Sequence, residues 1–425
     1  MRFAAIVCAS LAALFSLLTV EHLSAEEVAT APSFPATDWP WWRGGNQDGI
    51  ADSDQSPPLR WSETENVVWK AEVSGRGHSS PIIVGERIFL TTADEQREIQ
   101  SVLCYDRKSG KQLWKTDVHE GGFEPKNKKA SQASNSVGCD GERIFVNFFS
   151  DGQARTSALS LDGKILWTTK ICDYVPHQGY GSSPAIYGPL VIVSADNKKG
   201  GAIAGLDRET GEFVWRHDRP KMPNYSSPVI LNVDGKDQLI FTGCELVSSF
   251  APLTGEKLWE IEGATTECVT TSPTDGKHVF SSGGYPKNHV AAIVADGSGK
   301  IAWENTTRVY VPSMFVKDGY LYAVTDAGVA TCWNSSTGEE MWKGRLGGTF
   351  SSSPVLVGER IYATNEDGKT FVYKCDPQEF ELLATNELGK DVFATPTIVG
   401  GRIYTRVVMQ KNGQRQEMLY CLGDE

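Results

Sequence analysis

The chain has 425 residues, with 41 Lys and Arg against 53 Asp and Glu, for a net charge of −12. That balance argues against nucleic acid and against an anionic membrane surface as partners, since both are held by clustered Lys and Arg. A hydrophobic fraction of 40% argues against general disorder, and 42 Gly with 12 Trp suit turns and stacked strands.

Met1-Arg2 followed by the uncharged apolar run Phe3 to Val20, and Leu23-Ser24-Ala25 before Glu26-Glu27, reads as a signal peptide over residues 1–25. An uncleaved anchor is the alternative. No later stretch reaches spanning length, so the mature chain is expected to be periplasmic or secreted, with no membrane span, and monomeric. Residues 26–66 hold Pro32, Pro35, Pro40, Pro57 and Pro58 and are irregular. Within them Trp39-Pro40-Trp41-Trp42-Arg43-Gly44 is read as a strap packed on the domain rather than as an exposed aromatic patch. Asp48, Asp52 and Asp54 lack the Gly and closing Glu of a calcium loop and read as an exposed face.

From Val67 onward the chain repeats. Ser80-Pro81-Ile82-Ile83-Val84-Gly85-Glu86-Arg87-Ile88-Phe89 returns as Ser353-Pro354-Val355-Leu356-Val357-Gly358-Glu359-Arg360-Ile361-Tyr362. Weaker copies begin at Val137, Pro184, Pro228, Pro273, Met314 and Pro396, at a mean spacing of 45 residues. Each reads as strand, tight Gly turn, strand. A second element follows: Asp106-Arg107-Lys108-Ser109-Gly110-Lys111-Gln112-Leu113-Trp114, with copies ending at Trp167, Trp215, Trp259, Trp303 and Trp342. A Gly precedes each Trp by four: Gly110, Gly163, Gly211, Gly255, Gly299 and Gly338. Six residues before the turn Gly lie Cys104, Gly205, Ser249 and Cys332, small enough to make room for a neighbouring ring. Four strands in about 40–45 residues is the period of a propeller blade.

The expected fold is therefore all-β: an eight-bladed β-propeller of four-stranded antiparallel blades over residues 67–425. Trp69 lies as far before Pro81 as Trp342 before Pro354, so Val67 to Val73 reads as a fourth strand without its first three. Ala394–Val399, Arg402–Val408 and Glu417–Leu422 lack a fourth. The N-terminal strand is expected to close the last blade and abolish its open edge. Blade 7 has Leu383 where Trp is expected, which leaves its outer strand the least defined.

The D-x-x-[ST]-G-x-x-x-W run resembles the tryptophan-docking repeat of the quinoprotein alcohol dehydrogenase-like propellers, over roughly residues 61–425, and the Trp39–Gly44 stretch resembles the opening of exported PQQ-like repeat proteins. The resemblance implies the fold. It leaves two functions: a non-catalytic, exported module that binds an envelope or secreted protein or a small ligand, like the propeller component of the outer-membrane β-barrel assembly machine, or a pyrroloquinoline quinone (PQQ) dehydrogenase of alcohols or sugars. The second implies an adjacent-cysteine ring and a carboxylate–amide calcium cluster with a catalytic Asp. Neither can be assembled here, so no catalytic or metal residue and no cofactor is expected, PQQ and calcium belonging to the dehydrogenase alternative alone.

The eight cysteines after Cys8 contain no C-x-x-C. Cys104, Cys332 and Cys421 share one repeat position as buried thiols. No G-x-S-x-G, H-E-x-x-H or phosphate-loop motif occurs, and Gly297-Ser298-Gly299-Lys300 falls at a repeat turn. The loops entering the first strands meet at the mouth of the central channel. They bring His78, His177, Tyr180, Tyr225, Glu267, Tyr310, Phe350 and Phe393 there as candidate binding residues, while Trp69, Trp114, Trp167, Trp215, Trp259, Trp303 and Trp342 are structural. The long 120–134 loop, with Lys126, Lys128 and Lys129, reads as solvated.

Overall fold

The middle strands of the first repeat, Arg87–Asp94 and Ile99–Asp106, are buried on both faces almost throughout, whereas its last strand, Gln112–Glu120, alternates exposed and half-buried residues. Strands buried on both faces need cover from two sides, and only a neighbouring sheet on each side supplies it. The computed structural model, which describes residues 32–424, answers with eight sheets in a closed ring. The signal-peptide segment lies outside the described residues. Blade 1 spans residues 82–120, and blades 2 to 7 span 138–173, 185–218, 229–262, 278–305, 315–345 and 355–387. The inner strand of blade 5 is reduced to the single bridge between Thr274 and Val279.

Blade 8 consists of Thr397–Val399, Arg402–Lys411 and Gln414–Leu422, completed by Val67–Val73 antiparallel to the last of these. The ring is closed by the strand the sequence assigns, with Trp69 opposite Cys421.

Six of the seven docking tryptophans repeat one contact. Trp69, Trp114, Trp167, Trp215, Trp303 and Trp342 each donate the indole N–H to a backbone carbonyl in the turn of the next blade, at 2.7–3.1 Å. In five of the six the ring then covers that turn's glycine; the turn that receives Trp342 has none, and Phe380 packs on that ring instead. Gly211 has φ +75, and a Cβ there would sit 2.6 Å from Trp167. Conformation and contact both demand glycine. In blade 5 the register differs: Gly297, not Gly299, meets Trp259, whose indole donates to Gln238 Oε1 of its own blade. The small residues beneath the tryptophans make room for their own blade's ring rather than the neighbour's. Gly205 pairs with Trp215, and a Cβ there would meet its Nε1 at 2.5 Å. Cys104 and Cys332 pair likewise with Trp114 and Trp342.

Blade 7 corrects the reading at Leu383. The residue in the tryptophan register is Ala384, opposite Val372. The reason lies in the closure: the last two strands of blade 8 come from different parts of the chain, so there is no turn for a ring to dock on. Trp61, just ahead of the closing strand, covers blade 7 instead. It stacks on Tyr362 and takes its place through Asn386, whose Oδ1 accepts the Trp61 N–H at 3.0 Å.

Candidate functional site

Residues 38–61 run across the lower end of the central channel and touch all eight blades. Trp39 bridges to Ile83 of blade 1, and Pro40 accepts from Cys139 N of blade 2. Trp41 packs with Ile186 and Val191 of blade 3. Gln47 accepts from Ile230 N of blade 4, and Trp42 donates to Thr271 Oγ1 of blade 5 at 2.8 Å. Arg43, 2% exposed, donates to Met314 O of blade 6 and Pro354 O of blade 7 at 2.8 and 3.1 Å, and to Asp48 O. Ile50–Ala51 pairs parallel with Leu356 and Val357, and Gln55 accepts from Gly401 N of blade 8. Burial lowers the Arg43 pKa to about 10, which leaves it charged at neutral pH. The packed-strap reading of this segment matches its burial. Asp48 and Asp52 cap local turns through Ile50 N and Asp54 N.

Above this floor stands a collar of hydroxyls, one from the start of each blade. Ser80 N donates to Ser136 Oγ, Ser136 N to Ser183 Oγ, and Ser183 N to Ser227 Oγ. Thr271 N donates to Ser313 Oγ, Ser313 N to Ser353 Oγ, Ser353 N to Thr395 Oγ1, and Thr395 N returns to Ser80 Oγ. Seven of eight links are made, at 2.9–3.1 Å. The eighth position is taken differently, because Thr271 Oγ1 accepts from Trp42.

Floor and collar enclose a chamber of about 400 Å³ that opens on the opposite face. Trp42, His78, Tyr180, Tyr225, Tyr310 and Phe393 give it aromatic walls. His78 stacks on Phe393 at 4.3 Å, and its Nε2 is buried without a partner. Burial, with Arg76 and Arg406 near, holds the His78 pKa well below the usual range, so it is neutral. Burial, then the Glu267 carboxylate, pushes the Tyr225 and Tyr310 phenols up, so they stay protonated. Glu267, 3% exposed, is occupied by Tyr310 Oη at 3.0 Å and His177 Nδ1 at 2.9 Å.

Five of the eight residues expected at the mouth line the chamber: His78, Tyr180, Tyr225, Tyr310 and Phe393. His177 and Glu267 stand behind Tyr310. Phe350 does not reach the mouth: it is 1% exposed and packs on Phe371 in the core between blades 6 and 7. The reading of the 120–134 loop as solvated needs correction. It walls the mouth, with Asn127 donating to Gln178 Oε1 and Lys129 reaching Glu366 of blade 7 at 2.8 Å, while Ser131, Gln132 and Ala133 are buried. The collar and Trp42 were missed. Seven of the eight collar residues stand immediately ahead of a repeat's proline or its equivalent, a signal that only Thr271, two residues before Pro273, departs from.

The residues do not fit a quinone–calcium centre. A hard cation takes six to eight converging oxygens. Here Glu267 is held by Tyr310 and His177, Glu366 by Lys129 and Ser351. Among the described residues no three His, Cys, Asp or Glu side chains gather as ligands.

Comparison with known proteins gives a family. The family described as outer membrane protein assembly factor BamB matches residues 98–286 and 286–379, more than half of the chain. The outer membrane protein assembly factor BamB of Burkholderia pseudomallei is 25% identical over 373 residues, covering 81% of this chain and 86% of that one. The crystal structure of BamB from Moraxella catarrhalis superposes with a TM-score of 0.59 at 15% identity, over 83% of this chain and 96% of that one. Quinohemoprotein alcohol dehydrogenase from Comamonas testosteroni gives 0.64 at 13% identity, over 92% and 81%. The two structures establish the propeller fold alone.

Proposed function

The chain belongs to the family described as outer membrane protein assembly factor BamB, and from that premise we propose that it is a non-catalytic binding propeller of the cell envelope, exported to the periplasm or beyond, that engages its partner or ligand at the chamber mouth. The observation that carries this is the asymmetry of the channel: one end is sealed by a strap that is hydrogen-bonded to seven blades and packed on the eighth, and the other opens into an aromatic chamber. Rigid scaffolds present binding loops in this way. The protein works without quinone or calcium, because its mouth carboxylates are already engaged.

A photo-crosslinking residue at Lys128, on the loop that walls the mouth, is expected to trap a discrete partner in intact cells. The same residue at Leu258, 45% exposed on an outer strand, is expected not to. Trapping at Leu258 alone would move the interaction to the perimeter and overturn the reading. Addition of PQQ and Ca²⁺ to purified protein is expected to give no dye reduction with alcohols or sugars; turnover would restore the dehydrogenase.

A further inference from the structure

We propose that the blind chamber binds a neutral saccharide, of one or two sugar rings, with its hydroxyls on the collar and its C–H face against the aromatic walls. The proposal rests on the reading of the chamber as the binding site and names the chemistry that the site takes.

The collar supplies the first argument. Ser80, Ser136, Ser183, Ser227, Ser353 and Thr395 all line the chamber. Each oxygen accepts a backbone N–H from the preceding blade, and none of these hydroxyls donates to an acceptor among the described residues. Each therefore has one hydrogen to give and a lone pair to spare. The fold has fixed the oxygens and left the hydrogens free to turn. A purely apolar ligand would strip water from these groups and replace it with nothing.

Charge supplies the second argument. An anion would meet no unpaired cation, because Lys129 is engaged by Glu366 and His78 is neutral. A cation would find Glu267 already holding Tyr310 and His177. What remains is a neutral ligand that both donates and accepts around its edge and is apolar on its face. A sugar ring has that character. The volume of about 400 Å³ lies at the small end of ligand pockets.

The test is calorimetric titration of the whole protein with glucose, maltose, cellobiose and N,N′-diacetylchitobiose, alongside glucuronate and glucose 6-phosphate. At least one neutral sugar is expected to bind saturably, and the charged sugars at least tenfold more weakly. Tyr225→Ala is expected to lower the affinity about tenfold. Val269→Trp fills the chamber and removes no side-chain hydrogen bond; it is expected to abolish binding while the melting curve keeps its shape. Absence of binding by every neutral sugar, or binding unchanged in Val269→Trp, overturns the proposal. Peptides ending in Trp or Tyr separate the two levels. If they bind and Val269→Trp blocks them while sugars fail, the saccharide falls and the chamber stands as the site. If Val269→Trp blocks neither class and Lys128 traps no partner, both fall.

Discussion

The two ends of the central channel are made from the same eight strands, yet they commit their polar groups to different degrees. At the floor, the Arg43 guanidinium donates to three carbonyls, and Gln47, Gln55 and Trp42 each complete one hydrogen bond to a blade, while Trp41 Nε1 and Gln55 Nε2 stay buried without a partner among the described residues. At the mouth, six collar hydroxyls each accept one N–H and have no acceptor of their own among the described residues. A sealed end gains stability from every bond completed there, whereas a recognition end must keep groups in reserve. The difference teaches that the eightfold repeat supplies the scaffold, and that one non-repeating segment of residues 38–61 decides which end is left to bind.

The largest expected effect is therefore at the floor. Arg43→Ala leaves the carbonyls of Met314, Pro354 and Asp48 unpaired and opens a void, at a cost of about 3 kcal/mol. Arg43→Lys is expected to recover little, since an ammonium cannot reproduce the planar fork. Urea unfolding measures both. An unchanged midpoint in Arg43→Ala would erase the contrast between the ends.

At the mouth the same kind of change is milder. Tyr310→Phe removes the hydroxyl that donates to Glu267 but leaves His177 in place, and is expected to cost about 1 kcal/mol. A loss as large as that of Arg43→Ala would mean that the mouth is structural too.

Acid sharpens the contrast further. His78 at the mouth and His119 in blade 1 are both held below the usual imidazole range by burial, His119 at about 4. Each binds a proton more weakly folded than unfolded. Their contribution to stability is thus complete above the unfolded value of about 6.5 and is lost as pH falls below it, for His119 down to about 4. His119→Gln is expected to flatten this slope in urea midpoints measured between pH 7 and pH 4.5 without touching the chamber. His78→Gln should flatten it and alter ligand binding. An unchanged slope in both variants would place the acid sensitivity elsewhere.

How much was legible in the sequence follows from the same division. The docking tryptophans, the turn glycines and the closing strand Val67–Val73 could be read because eight copies impose one pattern, and a departure such as Ala384 marks where the pattern meets the chain closure. Tyr225 and Tyr310 could be placed at the mouth because they precede inner strands. Trp42 could not, because nothing repeats in residues 38–61 and its role depends on meeting Thr271, 229 residues away. Phe350 precedes an inner strand as well, but turns into the wall between two blades. Sequence position fixes the loop a side chain leaves from, and packing alone fixes its direction.

The smallest expected effect concerns Lys129, whose side chain is 63% exposed while its partner Glu366 is largely covered. An ion pair that open to water contributes at most about 1 kcal/mol, so Lys129→Met is expected to shift the urea midpoint little. Its consequence is local. The pair ties the 120–134 loop to blade 7, and without it the tip of the loop keeps Lys126 to Glu95, Arg76 to the Lys128 carbonyl and Asn127 to Gln178, while its ends stay bonded to blades 1 and 2 through Glu98, Gln100 and Asp151. Faster amide exchange in residues 125–131, with rates in the blades unchanged, is the expected result. If exchange accelerates throughout the ring, the loop is part of the scaffold and the mouth is no freer than the floor.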